Sequence, residues 1–112
     1  MSVPSEKMTA KPDTTISLGD FVDKAGEEGC IIIKKKKEMF IGEPGSSTGL
    51  AYPHIHIWID GTIALSISST KNIKVGNNES IDITLLYGAL ERYKIGAGRL
   101  RNTIGWVFAS AS

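Results

Sequence analysis

The chain has a single cysteine, Cys30, so no internal disulfide can form. Cys30 opens the apolar run Cys30-Ile31-Ile32-Ile33, with no histidine or asparagine near it in sequence, and this predicts a buried structural thiol rather than a nucleophile. Aromatic residues are few, two Trp, three Tyr and three Phe, which argues against a large aromatic ligand cradle. No stretch reaches the roughly 18 apolar residues of a membrane helix, and the first residues contain no apolar signal-peptide core. The expectation is a cytoplasmic chain that does not span a membrane, with export by a specialised system still compatible. Charge of one sign is lacking as well: the formal net charge is +1, so the whole molecule is not a generic polyanion binder. A Walker A loop is absent, because Gly49 is followed by Leu50 where Gly-Lys-Ser/Thr is required. No internal repeat is found. Asn78-Glu79-Ser80 matches a glycosylation sequon but, without a secretory route, is a chance match.

What is present fits one ordinary globular domain. The length is 112 residues, 41% hydrophobic and 22% charged. Residues 1–15 are polar, contain Pro4 and Pro12, and read as a flexible tail, leaving 16–112 as a single α+β domain. Ser17 has the character of a helix N-cap, with Leu18, Phe21, Val22 and Ala25 at helical spacing and Gly29 as the stop. Residues 30–33 read as a strand buried on both faces. Four lysines, 34–37, follow directly, and four in a row cannot remain on a central strand, because two would enter the core. The strand must therefore leave the sheet there or lie at an exposed edge, where lysines discourage unwanted pairing. Met39-Phe40-Ile41 is a short apolar patch and 42–49 a Gly-, Ser- and Pro-rich loop. Residues 72–75 suggest another short strand. Ser80 is a plausible helix start, with Ile83, Leu86, Leu90 and Tyr93 on one face and Gly96 at the end, although residues 81–84 also alternate as a strand does. Residues 103–109 read as a core strand. The expected architecture is α+β: a short N-terminal helix, a mainly antiparallel sheet built around a central hairpin, one longer helix near 80–95 packed on the sheet, and a C-terminal core strand.

The sharpest local signal is the hairpin. Alternating runs 53–58 and 62–68 flank Asp60-Gly61. A two-residue turn would pair His56 with Leu65 and mix polar with apolar on each face. A three-residue loop, Ile59-Asp60-Gly61 with Gly61 left-handed, pairs Ile57 with Ile63 and Ile55 with Leu65. It also sets His54 opposite Ser66 and His56 opposite Ala64. Only this register separates an apolar face from a polar one, so burial should enforce it.

His54 and His56 are the only histidines. Two apart on a strand, they lie on one face about 6.5–7 Å apart. Three readings follow: surface imidazoles, two ligands of a metal site, or an acid–base pair. A metal would need a third ligand from Glu43, Asp60 or Cys30, none at a recognisable spacing, so neither a metal nor another cofactor is expected. The acid–base reading matches a metal-independent ribonuclease, which needs a base for the 2′-hydroxyl and an acid for the 5′-oxygen; an imidazole suits both tasks. Lys35, Lys37, Arg99 and Arg101 are the candidate phosphate-binding cations, with Arg92 also available. Trp58 (or Tyr52) is the candidate stacking platform, and Ser66 a further substrate-binding residue on the histidine face.

Pro53-His54-Ile55-His56 opening a strand resembles short segments of small bacterial toxin domains. The likeness is confined to that segment, and no residue roles are carried over from it. The leading expectation is therefore a nuclease-like domain, a metal-independent ribonuclease of bacterial toxin type acting on RNA. The alternatives are a non-enzymatic protein-binding or inhibitor (immunity-type) module, associating with a protein partner through an exposed strand edge, or a His-x-His metal-binding module. Whether the basic residues converge on the histidine face discriminates them.

Overall fold

A computed structural model describes residues 14–44 and 50–111. The expected flexible tail lies outside the described residues up to position 13, as does most of the expected 42–49 loop; Thr15 already belongs to a strand. The elements are β1 (Thr15–Ser17), α1 (Leu18–Glu27), β2 (Ile31–Lys35), β3 (Glu38–Pro44), β4 (Leu50–Ile57), β5 (Thr62–Ser66), β6 (Asn72–Asn77), β7 (Ser80–Asp82), α2 (Ile83–Arg92) and α3 (Arg99–Ala111). The strands form one antiparallel, curled half-barrel sheet in the order β1-β7-β6-β5-β4-β3-β2. Because β1 and β2 are its opposite edges, α1 must carry the chain from one edge to the other.

Packing explains the helices. Ser17 Oγ accepts the Asp20 N–H at 3.1 Å and caps α1, whose Phe21 and Ala25 are buried. Asp82 Oδ1 accepts the Leu85 N–H at 3.0 Å and caps α2, which buries Ile83, Leu86, Ala89 and Leu90. These side chains join Leu100, Ile104 and Val107 of α3 in one core cluster with Ile41, Ile55, Ile63, Leu65, Val75 and Ile81 of the sheet. All three helices therefore lie on the face of the sheet that bears these aliphatic residues. None of the described helices is long and apolar enough to cross a membrane.

The expected architecture is overturned in its organisation: the molecule is a seven-stranded curled sheet with three helices, not a short helix leading into a sheet centred on one hairpin. The C-terminal core strand is instead α3. Leu100, Thr103, Ile104 and Val107 are its buried residues, an i, i+3, i+4, i+7 spacing that β-rich composition had masked. Its first turn is capped by a distant residue, Glu43, whose Oε2 accepts the Leu100 N–H at 2.9 Å. The 80–95 helix starts three residues late, because Ser80–Asp82 pairs with β6 and with β1 before Asp82 caps the turn. The run before the lysines is an edge strand rather than a strand buried on both faces: β2 pairs only with β3, and Ile31 is 40% exposed. Lys34 and Lys35 stay in that strand, which the edge position tolerates. Residues 38–41 are no isolated patch; they belong to β3, which forms a hairpin with β2 across Lys36-Lys37.

Candidate functional site

The site is built on the β4–β5 hairpin. Its pairs are His54 with Ser66, Ile55 with Leu65, His56 with Ala64 and Ile57 with Ile63, the register that separates the faces. Gly61 has φ +96°, and its N–H donates to the Trp58 carbonyl at 3.0 Å, closing the three-residue loop. Ile55, Ile57, Ile63 and Leu65 are buried under the helices. His54 and His56 project from the opposite face, on which none of the described helices packs.

That second face is not simply polar surface. β3 sets Phe40 beside His56 and Gly42 beside His54. The rings form a continuous ladder. Tyr52 stacks on His54 at 4.9 Å, Phe40 meets His54 edge-on at 6.2 Å and stacks on His56 at 4.4 Å, and Trp58 stacks on His56 at 3.7 Å. Alternation along β3 places Glu38 on the same side as Phe40, and its Oε2 lies 3.1 Å from His56 Nε2. His56 is 17% exposed and Glu38 33%. Gly42 makes room for the other imidazole: a Cβ there would lie 2.7 Å from His54 Cβ.

The two imidazoles occupy different environments. His54 Nδ1 lies 3.3 Å from the Ala51 carbonyl, which can only accept, so in the neutral ring the proton sits on Nδ1 and Nε2 keeps its lone pair. Burial holds the His54 pKa below its ordinary value, opposed by that carbonyl and reinforced by the neighbouring His56. His56 donates through Nε2 to the Glu38 carboxylate, which can only accept, and this leaves Nδ1 as the second nitrogen. The two rings thus differ in which nitrogen is engaged: Nδ1 in His54 and Nε2 in His56.

The expected phosphate ligands separate into two groups. Lys35 is on the histidine face, its Nζ 5.6 Å from the Phe40 ring centre. Lys37 is in the β2–β3 turn beyond Glu38. Trp58 is in the ladder. Ser66 is opposite His54 but buried, and its hydroxyl donates to Asn72 Oδ1, so it is committed to the sheet. Arg99 and Arg101 do not join the site. Both ride on α3, on the other face, where Arg99 pairs with Glu43 at 3.4 Å and Arg101 reaches the Tyr87 hydroxyl at 3.4 Å. Lys74, not among the expected cations, pairs with Ala64, which pairs with His56, and so projects from the histidine face two strands away.

Comparison with known proteins finds no matching family model, no matching curated protein and no matching solved structure.

Two residues escaped the sequence reading, Glu38 as the partner of His56 and Phe40 as a ring of the ladder; Tyr52, a candidate stacking platform there, does stack on His54. The signal for the two that escaped was the period-two alternation of 38–41. It went unread because Lys36-Lys37 is not the Asn-Gly or Asp-Gly chemistry that marks a tight turn. The candidate third metal ligands are dispersed. Glu43 caps α3, Asp60 Oδ1 accepts the Thr62 N–H at 2.9 Å and Cys30 is buried 3.6 Å from Thr103 Oγ1. Among the described residues no group of three His, Cys, Asp or Glu side chains could hold a metal ion.

Proposed function

We propose that the protein is a metal-independent ribonuclease acting on single-stranded RNA, with His54 as general base and His56 as general acid. The observation that carries this reading is the opposed preparation of the two rings: His54 half-buried with Nδ1 against the Ala51 carbonyl, His56 with Nε2 against the Glu38 carboxylate. In this reaction His54 Nε2 removes the 2′-hydroxyl proton and the 2′-oxygen attacks phosphorus. The bond to the 5′-oxygen breaks as His56 Nδ1–H protonates it. The products are a 2′,3′-cyclic phosphate and a 5′-hydroxyl. Glu38 holds the imidazolium of His56 in orientation. Lys35 and Lys74 supply the positive charge that the crowded phosphate needs, in place of Arg99 and Arg101. Tyr52, at one end of the ladder and 49% exposed, offers a ring to a base.

The test is incubation of purified protein with labelled RNA and DNA in excess chelator. Cleavage of RNA alone, with a bell-shaped pH profile, is expected. No cleavage by a well-folded wild type sinks the reading.

A second reading has its own support. Ile31 and Tyr52 are exposed, and Ile31 sits on the open edge strand next to this same uncovered face. Apolar and aromatic side chains beside an edge strand suit a non-enzymatic module that binds a protein. An inactive wild type would leave that reading standing.

A further inference from the structure

A cavity of about 500 Å³ opens at the end of the sheet, between the β2–β3 turn and the β4–β5 loop. Lysines 34–37 line it together with Trp58, and Leu18, Met39 and Ile57 supply apolar wall. We propose that this cavity binds the nucleotide on the 3′ side of the cut, its base against the apolar wall and its 3′-phosphate on the lysines. The inference rests on the ribonuclease reading for its direction along the RNA, and the lysine-lined nucleotide site itself does not.

Size, charge and continuity with the ladder support the site. A volume of this order accepts a small ligand such as one nucleotide. The second is charge. Among the described residues none of the four lysines forms an ion pair. Protection of the β2 edge accounts for Lys34 and Lys35, which are in the strand, but not for Lys36 and Lys37, which occupy the turn. Against Glu38, Asp60 and Glu79 in the same lining, the four lysines leave a formal excess of +1, which an anion complements. The third is continuity. Neither histidine lines the cavity, and Met39 and Ile57 of its wall belong to the helix-covered face, but Trp58 stacks on His56 at 3.7 Å and Glu38 reaches His56 Nε2, so the cavity lies nearer the acid than the base. The acid protonates the leaving 5′-oxygen, and the nucleotide bearing that oxygen is the downstream one.

Three carboxylates also line the cavity: Glu38, Asp60 and Glu79. Glu38 is engaged by His56. Asp60, its pKa lowered by the Thr62 N–H, is held as an anion, and Glu79 is exposed. They oppose a bare polyanion and can accept hydrogen bonds from base amino groups, which favours a nucleotide over inorganic phosphate.

The binding probe is a fluorescent 2′-O-methyl RNA decamer, which cannot be cut because its 2′-oxygen is blocked. Its affinity is measured against salt for wild type, for the double variant Lys36→Gln/Lys37→Gln, for Trp58→Leu and for the control Arg92→Gln on α2. Both cavity variants should weaken binding. The lysine pair should flatten the slope of log affinity against log salt by about 0.7 for each lysine that meets a phosphate, with Arg92→Gln unchanged. Equal binding by wild type and the lysine variant overturns the site, as does an equal loss in Arg92→Gln or equally tight binding of an acidic peptide of matched charge. In parallel, cleavage of a dinucleotide is compared with cleavage of the same dinucleotide bearing a 3′-terminal phosphate. The phosphate should lower KM in wild type and not in the lysine variant; an unchanged KM in wild type overturns the downstream placement. Lysine-dependent binding without cleavage of any RNA overturns the ribonuclease reading while leaving the nucleotide site. Cleavage with lysine-independent binding does the reverse.

Discussion

The two faces of this sheet come from the same strands and have opposite characters. On one, Ile41, Ile55, Ile63 and Leu65 are fully buried beneath three helices. On the other, one residue further along each strand, Tyr52, His54, Phe40, His56 and Trp58 stack in a row with no described helix over them. The helix-covered face is interchangeable aliphatic packing, where volume matters more than identity. The uncovered face carries titratable rings, a carboxylate and lysines in specific contacts, and that is where chemistry is expected. A residue's face thus separates aliphatic packing from the stacked rings and their polar partners.

The two faces should differ most in catalysis. His54→Ala and His56→Ala should each lower RNA cleavage by roughly 10²–10⁴-fold, the usual contribution of a positioned acid or base. Because His56 is stacked on both Phe40 and Trp58, His56→Gln is the gentler companion variant. Near-wild-type circular dichroism should accompany the loss, and equal activity in wild type and variants would reassign the chemistry.

Substitutions on the helix-covered face should do the opposite. Ile55→Ala or Leu65→Ala leaves a cavity in the core and should cost about 2–5 kcal/mol in denaturant melts. Cleavage by whatever fraction stays folded should be little changed. A larger loss of stability for His54→Ala than for Ile55→Ala would erase the distinction between the faces.

A link between the faces is tested at Glu43, next to Gly42 on β3 but directed to the helix side. Glu43→Ala removes the acceptor for the Leu100 N–H and the partner of Arg99, and should cost about 0.5–2 kcal/mol, the range of a lost helix cap. A melt within error of wild type would show that water replaces the carboxylate.

The smallest effect expected is pH-linked. The His54 pKa is lowered on folding, so below its unfolded value the unfolded chain binds more protons. Its contribution is therefore present above about pH 6.5 and lost as pH falls through the lower folded value. Half-burial keeps the magnitude small. Urea melts of wild type and His54→Gln between pH 7.5 and pH 5, on the order of that window, should converge as the solution is acidified. Parallel curves would show that the ring titrates alike folded and unfolded.

The hairpin and its faces were legible from residues 53–68 alone, because period-two alternation and a left-handed glycine admit one register that buries the isoleucines. The alternation that put both histidines on one face was equally local. Residues 99–111 were not legible: β-branched and aromatic residues favour a strand, and the helix prevails only because Leu100, Thr103, Ile104 and Val107 find a core to face and Glu43, 57 residues earlier than Leu100, caps the first turn. The site divides in the same way. Sequence named His54, His56, Lys35 and Trp58, which the fold brings to one region, and also Arg99 and Arg101, which it carries to the other side. Glu38 reached His56 only through the pairing of β3 with β4. Local alternation decides which way a side chain points from its own strand. Which strands lie side by side, and which face the helices cover, are settled by long-range burial, and a neighbour 18 residues away comes into contact only once that packing is complete.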